Sequence, residues 1–429
     1  MEWGWGWGTR GMGHPFVIDC CPSSGGLQER EAEECDWYFA GTECKDLSYA
    51  NTTSQKNITL TATAQEDLGR SSRTLQSSMN YIDRFQPKIV ILEQVYRLQV
   101  VPLVLQRMRQ FGIYDCEAFV VDNRDFGLPH SRRRLAIVGV NLRKAHLRKP
   151  IHAWQSALQR MSVSIPKSKI SDFLLPDDHD DIIGLRNELQ DKMDNRDVAA
   201  ERETFVQSKG FKKHEEIRKT LRVLYNVDVP TWDEMITTTP GWGSLLSLRE
   251  QDVLSLHWVC VNILHINPSE HAFWWDLTNS ITYPLEKNPC RADRGQCLTR
   301  NRNYFVTNRG RLASGLELMK LMGWPADMTL SNGDEESMTN TGLSGLAGNA
   351  IGIPTFTALS MAALSYVDMS RPHGSPPDYN HNTSIDGIFI NSCRRYDGED
   401  DEEQETGDDA AASRLNVLPM ISRSNKDHW

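Results

Sequence analysis

The chain has 429 residues, which is long enough for two domains and a large buried core. Its 24% charged and 39% hydrophobic residues are ordinary for a soluble globular protein, and no apolar run approaches the roughly 20 residues of a membrane span. The first residues lack the basic and apolar regions of a signal peptide, and the nine cysteines lack the spacing of a disulfide framework. Composition therefore argues against a secreted or membrane-spanning protein, and we expect the cysteines to be thiols.

The formal net charge of −10 is concentrated near the end of the chain. Residues 397–409 hold nine Asp or Glu and no Lys or Arg, and the remainder carries a formal charge of −1. We expect residues 370–429 to be an acidic, disordered tail.

Basic residues form two groups elsewhere in the chain. The first group consists of Arg132, Arg133, Arg134, Arg143, Lys144, Arg148 and Lys149, and the second of Lys212, Lys213, Arg218, Lys219 and Arg222. We interpret the first group as a phosphate-facing surface. The second is equally compatible with a solvated helix face.

The first 140 residues alternate between short apolar runs and stretches with helical spacing. In chain order, the pattern predicts strands at 15–19 and 36–41, a helix at 74–85, a strand at 87–93, a helix at 100–111, and strands at 119–121 and 135–140. This alternation predicts an α/β fold, with a parallel sheet covered on both faces. Asp19, Cys44 and Glu93 follow the ends of predicted strands, where such sheets bind their ligands.

The strand–helix rhythm stops after residue 140. Helical stretches such as 216–224 are then mixed with turns, and helical spacing returns at 311–322 and 354–367. We therefore predict four parts: a catalytic domain (1–140), a smaller irregular domain (141–300), a return to the catalytic domain (301–369) and the tail (370–429).

Four short motifs carry chemically useful side chains. They are Gly41-Thr-Glu-Cys44-Lys-Asp-Leu-Ser48, Ile91-Leu-Glu93-Gln94-Val95, His130-Ser-Arg132-Arg133-Arg134 and Gly348-Asn349-Ala350. Methyl transfer to C5 of cytosine needs a thiolate that adds to C6, an acid that hydrogen-bonds N3 and a cation near O2. These three groups must converge on a base that has been flipped out of its helix.

In their order and spacing, the motifs resemble those of the C5 cytosine-specific DNA methyltransferase family. The resemblance implies that Cys44 is the nucleophile, that Glu93 contacts N3 and that Arg134 contacts O2. Arg132 would then be a supporting or phosphate contact, and Ser48 would contact the phosphate backbone. The basic residues Arg133, Arg143 and Lys144 are the further candidates for nucleic-acid contacts.

The resemblance also implies a fold, a cofactor and a partner. The fold would be a doubly wound, mostly parallel, Rossmann-like methyltransferase sheet with its first strands truncated, and residues 141–300 would form a target-recognition domain. The cofactor would be S-adenosylmethionine, with Asp19, Leu75, Asn349 and Ala350 as candidate contacts. The partner would be double-stranded DNA with a flipped base. We expect a monomer without a metal or membrane, located in the nucleus, or in the cytoplasm if the source is prokaryotic.

Two residues depart from the family pattern. Glu43 replaces the proline that usually precedes the nucleophile, which loosens the turn and places an anion beside the thiol. Gln94 replaces an asparagine. Read alone, Cys44 is also compatible with a buried inert thiol, Glu93 with a helix cap, and Arg132 to Arg134 with a solvated turn.

The glycine-rich cofactor loop of the family has no clear counterpart, since only 43 residues precede Cys44. Residues 19–27 match that loop in a degenerate form, with Ser23 in place of a key glycine. Alternatively, Asp19 is the acid of the family's third strand, and we favour this alignment because of its distance from Cys44. It predicts that Pro15–Asp19 pairs directly beside the 36–41 strand, and that S-adenosylmethionine binds weakly or not at all.

Three functions remain open. The leading one is DNA cytosine-5 methylation, and the others are a catalytically inactive nucleic-acid-binding homologue and RNA cytosine methylation. The target sequence cannot be read from the chain, because base contacts come from irregular loops.

Overall fold

The structure is a computed structural model, and every statement below concerns the residues that it describes. These are residues 16–19, 28–31, 34–41, 70–96, 101–225, 241–263, 265, 267–278, 295, 297–300, 302–325, 338–370 and 391–392. Cys44 and Ser48, residues 20–27 and nearly all of the predicted tail lie outside them.

The described elements mix strands and helices. The strands are β1 (Phe16–Asp19), β2 (Gln28–Glu31), β3 (Trp37–Gly41), β4 (Ile89–Val95), β5 (Tyr114–Asp122), β6 (Arg133–Asn141), β7 (His146–Leu147), β8 (Trp274–Asp276), β9 (Tyr304–Val306), β10 (Arg311–Leu312), β11 (Val367–Asp368) and β12 (Asn391–Ser392). The α-helices are α1 (Arg70–Phe85), α2 (Val101–Gln110), α3 (Trp154–Ser164), α4 (Asp180–Asp194), α5 (Val198–Gln207), α6 (Lys209–Tyr225), α7 (Leu248–Ile263), α8 (Gly315–Leu321), α9 (Asn340–Asn349) and α10 (Ile353–Tyr366).

Five strands form the main sheet, in the order β12-β5-β6-β4-β3. The pairs β3–β4 and β5–β12 are parallel, whereas β6 is antiparallel to both β4 and β5. Four strands therefore run in one direction and β6 in the other, so the sheet is mostly parallel, as the sequence predicts. The carboxyl ends of β3 and β4 meet at the same edge of the sheet as the start of β6.

Helices cover both faces of this sheet, which makes the fold a doubly wound, Rossmann-like α/β fold. Because side chains alternate along a strand, β4 sends Ile89 and Ile91 to one face and Val90 and Leu92 to the other. The first face packs against α3 and α10, and the second against α1 and α2. Leu75 of α1 is half-buried against the second face.

A second hydrophobic core surrounds the small antiparallel sheet β10-β9-β8. Trp274 and Tyr304 pack on one side of it with residues of α8, and Trp275 and Phe305 pack on the other side with residues of α7. Helices α3 to α7 lie between residues 141 and 300.

The chain passes from the core of the main sheet to the second core, and back, at positions that differ from the predicted domain limits at 140 and 300. Residues up to Met161 of α3, beyond the limit at 140, pack on the main sheet. Residues from Tyr304 to Met322, beyond the limit at 300, pack in the second core. The reason is that helix α3 covers an apolar sheet face, and that β9 pairs with β8 across the limit at 300.

Helices α6 and α7 are joined by a fully buried ionic cluster. The Asp252 carboxylate accepts hydrogen bonds from His214 Nδ1 and from Arg218 Nη2. Arg218 also donates to Glu215 Oε1 at 2.9 Å and to Ser255 Oγ at 3.3 Å. The sequence grouped Arg218 with basic residues that face solvent or phosphate, and this was wrong because its guanidinium is buried and its Nη1 and Nη2 donate to residues of α6 and α7.

The strand β1 forms where the sequence predicts it, but its predicted neighbour was wrong. It pairs antiparallel with β2, with Asp19 opposite Gln28, in a separate two-stranded sheet. Among the described strands, β3 pairs with β4 alone. Pairing with β2 closes a shorter stretch of chain than pairing with β3 and therefore costs less loop-closure entropy.

One stretch, Asn340–Tyr366, is long and apolar enough to cross a membrane by length and composition alone. It consists of α9 and α10, which are separated at residues 350–352 and contribute side chains to the two protein cores.

Candidate active site

The structure brings Glu93 and Arg134 together. Arg134 Nε lies 2.8 Å from Glu93 Oε1, and the two side chains are 13% and 12% exposed. In the antiparallel register, Val95 pairs with Arg134 and Glu93 pairs with Ala136, so the two side chains are diagonal neighbours on one face. A charge-assisted pair of this kind, close to solvent at the end of a strand, can exchange part of its hydrogen bonding for a ligand.

Gly41, the last residue of β3, lies directly against this pair. It is in parallel register with Glu93, and a Cβ atom at Gly41 would lie 3.3 Å from Glu93 Oε2. The chain that leads to Cys44 therefore leaves β3 beside the Glu93 carboxylate. The first turn of α10 lies over the same face, since the rings of Phe39 and Phe356 are 4.5 Å apart.

The Arg132 guanidinium is buried and holds distant segments together. Its Nη1 donates to the carbonyl of Leu298, and its Nη2 donates to the carbonyl of Gly348 at 2.9 Å. A side chain at Gly348 would collide with the backbone of Arg300, so glycine is required for this close approach. With 3% of Arg132 exposed, the geometry favours the supporting role over the phosphate contact.

Asp122 shapes the turn that presents the arginines, although the sequence did not single it out. Its Oδ1 accepts the backbone N–H of Arg132 at 2.8 Å and that of Arg124 at 3.1 Å, and its Oδ2 accepts the Ser131 hydroxyl at 2.6 Å. The available signal was an acid at the end of a predicted strand, the same signal that singled out Glu93.

A second buried network ties this turn to the C-terminal helices. Asn123 Nδ2 lies 2.9 Å from His130 Nε2, and Asn123 Oδ1 accepts the Thr355 hydroxyl at 2.9 Å. All three side chains are at most 1% exposed. Burial, followed by the charges of Arg132 and Arg134, lowers the pKa of His130 to about 3, so its imidazole is neutral.

The first basic group is not a single surface, and that interpretation was wrong. Strand β6 begins at Arg133, beside the Glu93–Arg134 pair, and ends at Asn141, at the opposite edge of the sheet. Arg143 and Lys144 follow that far end, and Lys144 Nζ is engaged by Glu34 Oε1 at 2.9 Å and by the Phe85 carbonyl at 3.0 Å. Nine extended residues separate the two ends by roughly 27 Å.

Arg133 stays at the Glu93 edge. Its guanidinium lies over the ring of Tyr96 at 6.0 Å, a cation–π geometry that holds the side chain beside the end of β4. Of the basic residues proposed for nucleic acid, Arg133 is therefore the one that the sheet places next to Glu93.

The four candidate cofactor residues are not assembled into one pocket. Asp19 belongs to the separate β1–β2 hairpin, and Leu75 packs against the sheet face with α1. Asn349 is exposed at the end of α9, and Ala350 is half-buried beside the second core. The described residues thus do not by themselves fit S-adenosylmethionine. No group of three or more His, Cys, Asp or Glu among them is placed to hold a metal ion.

The known proteins that are similar to this chain include several methyltransferases. The chain is 24% identical over 408 residues to DNA (cytosine-5-)-methyltransferase DMT5 of Cryptococcus neoformans var. grubii, which covers 92% of this chain but 16% of that protein. The chain thus spans less than a fifth of that relative's length.

Similar solved structures include the S. pombe Dnmt2 methyltransferase, with 12% identity, a TM-score of 0.37 and coverage of 77% of this chain and 78% of that chain. They also include a putative DNA modification methyltransferase encoded within an E. coli prophage, with 14% identity, a TM-score of 0.38 and coverage of 77% and 79%.

The family assignment rests on a match along most of the chain. Residues 27–363 match the family model described as C-5 cytosine-specific DNA methylase. The matched range contains all four motifs together with Glu93, Arg134 and the turn held by Asp122. The chain belongs to the C-5 cytosine-specific DNA methylase family.

Proposed function

We propose that this chain is a DNA cytosine-5 methyltransferase that attacks a flipped cytosine with Cys44. The observation that carries the proposal is the Glu93–Arg134 pair, which lies against the last residue of the strand leading to Cys44. Cys44 follows Gly41 by three residues, so covalent connectivity alone keeps its Cα within about 11 Å of that strand end. A base held by the pair is thus within reach of the thiol.

The proposed chemistry assigns one task to each side chain. The Cys44 thiolate adds to C6, which makes C5 nucleophilic. Glu93 hydrogen-bonds N3 and stabilises the adduct, while Arg134, held by Glu93 and by the Arg133 carbonyl, contacts O2. Arg132 does not touch the base but fixes the turn before β6 through the carbonyls of Leu298 and Gly348.

The methyl donor is S-adenosylmethionine by analogy with the family. Since the described residues do not form a complete pocket for it, we derive no step through it. Asn349 and Ala350 remain candidates for its contacts, because α9 is linked to the active-site turn through Gly348.

A trapping experiment tests the proposal. The chain is incubated with duplex DNA that carries 5-fluorocytosine, in the presence of S-adenosylmethionine, and is analysed on a denaturing gel. Fluorine cannot leave C5 as a proton does, so methyl transfer leaves the enzyme covalently attached. We expect an adduct with the wild type and none with Cys44→Ala. The same bases in RNA distinguish the RNA alternative, which predicts an adduct with the ribo-oligonucleotide instead.

The second candidate is a catalytically inactive homologue that binds nucleic acid. The pairing of β1 with β2 outside the main sheet favours it, as does Glu43 in the nucleophile motif. It predicts DNA binding without any covalent adduct, whichever cofactor is added.

A further inference from the structure

The second core contains an open cavity of about 300 Å³ that is separate from the Glu93–Arg134 pair. It lies between helix α4, the turn at 241–242 and strand β10. This volume is at the lower limit of small-ligand sites and matches a ligand of mononucleotide size. The residues that decide its chemistry are Asp177, Ile182, Ile183, Arg186, Trp242 and Arg309.

One part of the cavity is apolar and rigid. Trp242 packs against two hydrophobic clusters, one with Ile182 and one with residues of α7. Its backbone N–H donates to the Gly310 carbonyl at 2.7 Å. Gly241 has a φ of +68°, and a Cβ there would collide with the Gly310 carbonyl, so the turn is clamped onto β10. Ile183 is 45% exposed on the adjoining helix. An aromatic ring held in this way is a platform on which a planar base can stack.

The other part of the cavity is lined by three arginines and one aspartate. Arg311 is satisfied by Glu317, with two contacts of 2.9 and 3.0 Å, and by Asp177 Oδ1 at 2.7 Å. Asp177 is thus largely used by Arg311, and Arg309 Nη1 reaches its other oxygen only at 3.7 Å. Arg186 is exposed and has no ion-pair partner within the part of the chain that the structure describes.

We propose that this cavity binds a nucleotide, with its base stacked on Trp242 and its phosphate held by Arg186 and Arg309. Planar guanidinium groups recognise phosphate oxygens through paired N–H donors. The indole of Trp242 would contact the base, and inorganic phosphate has no base to make this contact. Asp178 lies in the turn before α4, and Asp180 and Asp181 lie in the first turn of that helix. The wider surface is therefore not basic, and the attraction for a phosphate must come from Arg186 and Arg309. The nucleotide is either part of a polynucleotide strand or a free nucleotide in solution. Binding at this site does not depend on methyl transfer.

The test measures binding of AMP, adenosine, inorganic phosphate and a single-stranded 10-mer to the full chain by calorimetry. We expect AMP to bind more tightly than adenosine or phosphate, and Arg186→Ala to weaken AMP binding by roughly tenfold to a hundredfold. Trp242→Leu, which keeps an apolar side chain, should weaken AMP but leave phosphate unchanged. Lys192→Ala is the matched control, because it removes an exposed charge from the same helix without lining the cavity.

The outcomes separate the sources and can overturn the proposal. A 10-mer that binds much more tightly than AMP, with the same loss in Arg186→Ala, identifies a polynucleotide strand as the source. Equal affinities per site identify a free nucleotide. The proposal is wrong if AMP does not bind at millimolar concentration, if phosphate binds as tightly as AMP, or if Lys192→Ala loses as much as Arg186→Ala. Because none of these measurements involves Cys44, their failure leaves the proposed methyltransferase activity untouched.

Discussion

Glu93–Arg134 and Asp252–Arg218 are both arginine–carboxylate pairs, but their surroundings are opposite. The first lies at the edge of the main sheet with 12–13% of each side chain exposed. The second is fully buried between α6 and α7, and its arginine is shared among Asp252, Glu215 and Ser255. A ligand can hydrogen-bond to a charged pair only where some polar atoms of the pair are accessible from solvent. The buried pair holds the fold together.

The comparison predicts its largest effect at Glu93. Glu93→Gln keeps the size of the side chain but removes the charge and the acid, so we expect methylation to fall by about 10²- to 10⁴-fold. Stability should change less than at the fully buried pair, because the amide oxygen introduced at this position can still accept a hydrogen bond from Arg134 and both side chains keep some contact with solvent. The measurements are methyl incorporation into DNA and the thermal unfolding midpoint. Glu188→Gln, which alters an exposed pair on α4, is the control and should change neither.

At the buried Asp252–Arg218 pair we expect the main effect on stability, not on methylation. Arg218→Met leaves the buried Asp252 carboxylate without its arginine partner, with only the contact to His214 remaining, and we expect it to lower the free energy of unfolding by about 3–5 kcal/mol. Urea unfolding followed by circular dichroism measures this loss. Lys192→Ala, at a surface pair, should cost less than about 1 kcal/mol. If Arg218→Met cost no more than this control, the buried cluster would not hold α6 and α7 together.

A smaller effect is expected from the buried histidine behind the site. The folded protein keeps His130 neutral with a pKa of about 3, whereas the unfolded chain binds its proton near the ordinary value of 6.5. Its contribution is therefore complete above about pH 6.5 and is lost as the pH falls toward 3, by up to about 1.4 kcal/mol per pH unit.

His130→Gln, which replaces the imidazole with a side chain that does not titrate, tests this pH dependence. The variant should lose less stability than the wild type between pH 6.5 and pH 4. His257, whose pKa burial lowers in the same way, still contributes in both proteins. Identical slopes for the two proteins would contradict the buried, neutral state of His130.

The smallest expected effect is a difference in DNA binding between substitutions near the two ends of β6. Arg133→Ala, beside Glu93, should weaken DNA binding by about 1 kcal/mol and should reduce its salt dependence by about one ion. Lys144→Ala, at the far edge, should change neither, because its ammonium group is already paired with Glu34. Fluorescence anisotropy at several salt concentrations measures both. An equal loss in the two variants would mean that DNA extends across the whole sheet.

The sequence was sufficient to predict the strands and helices whose formation depends on local residue patterns. Short apolar runs identified β3 to β6, because strands of a sheet covered on both faces are apolar along their length. Helical spacing identified α1, α2 and α10, because each buries one face. Glu93 and Arg134 were singled out because their motifs resemble those of the family, and the fold places the two side chains in contact.

What the sequence could not show depends on contacts between distant segments. The extended strand β6 carries Lys144 to the opposite end of the sheet from Arg134, although the two residues are only ten positions apart in the sequence. The burial of Arg218 depends on α7, more than 30 residues later. Asn123 gains its role from Thr355, and β1 from β2, and neither partner is recognisable without the fold.

The most direct test of the proposed site uses DNA in which the target cytosine is replaced by pyrimidin-2-one, with no cofactor added. Without the 4-amino group the ring is more electrophilic at C6, so a thiolate held beside the base can add to it without methyl transfer. We predict a covalent complex with the wild type by denaturing gel and mass spectrometry, none with Cys44→Ala, and a much lower yield with Glu93→Gln. A complex that survives in Cys44→Ala, or forms equally well in Glu93→Gln, would contradict the account.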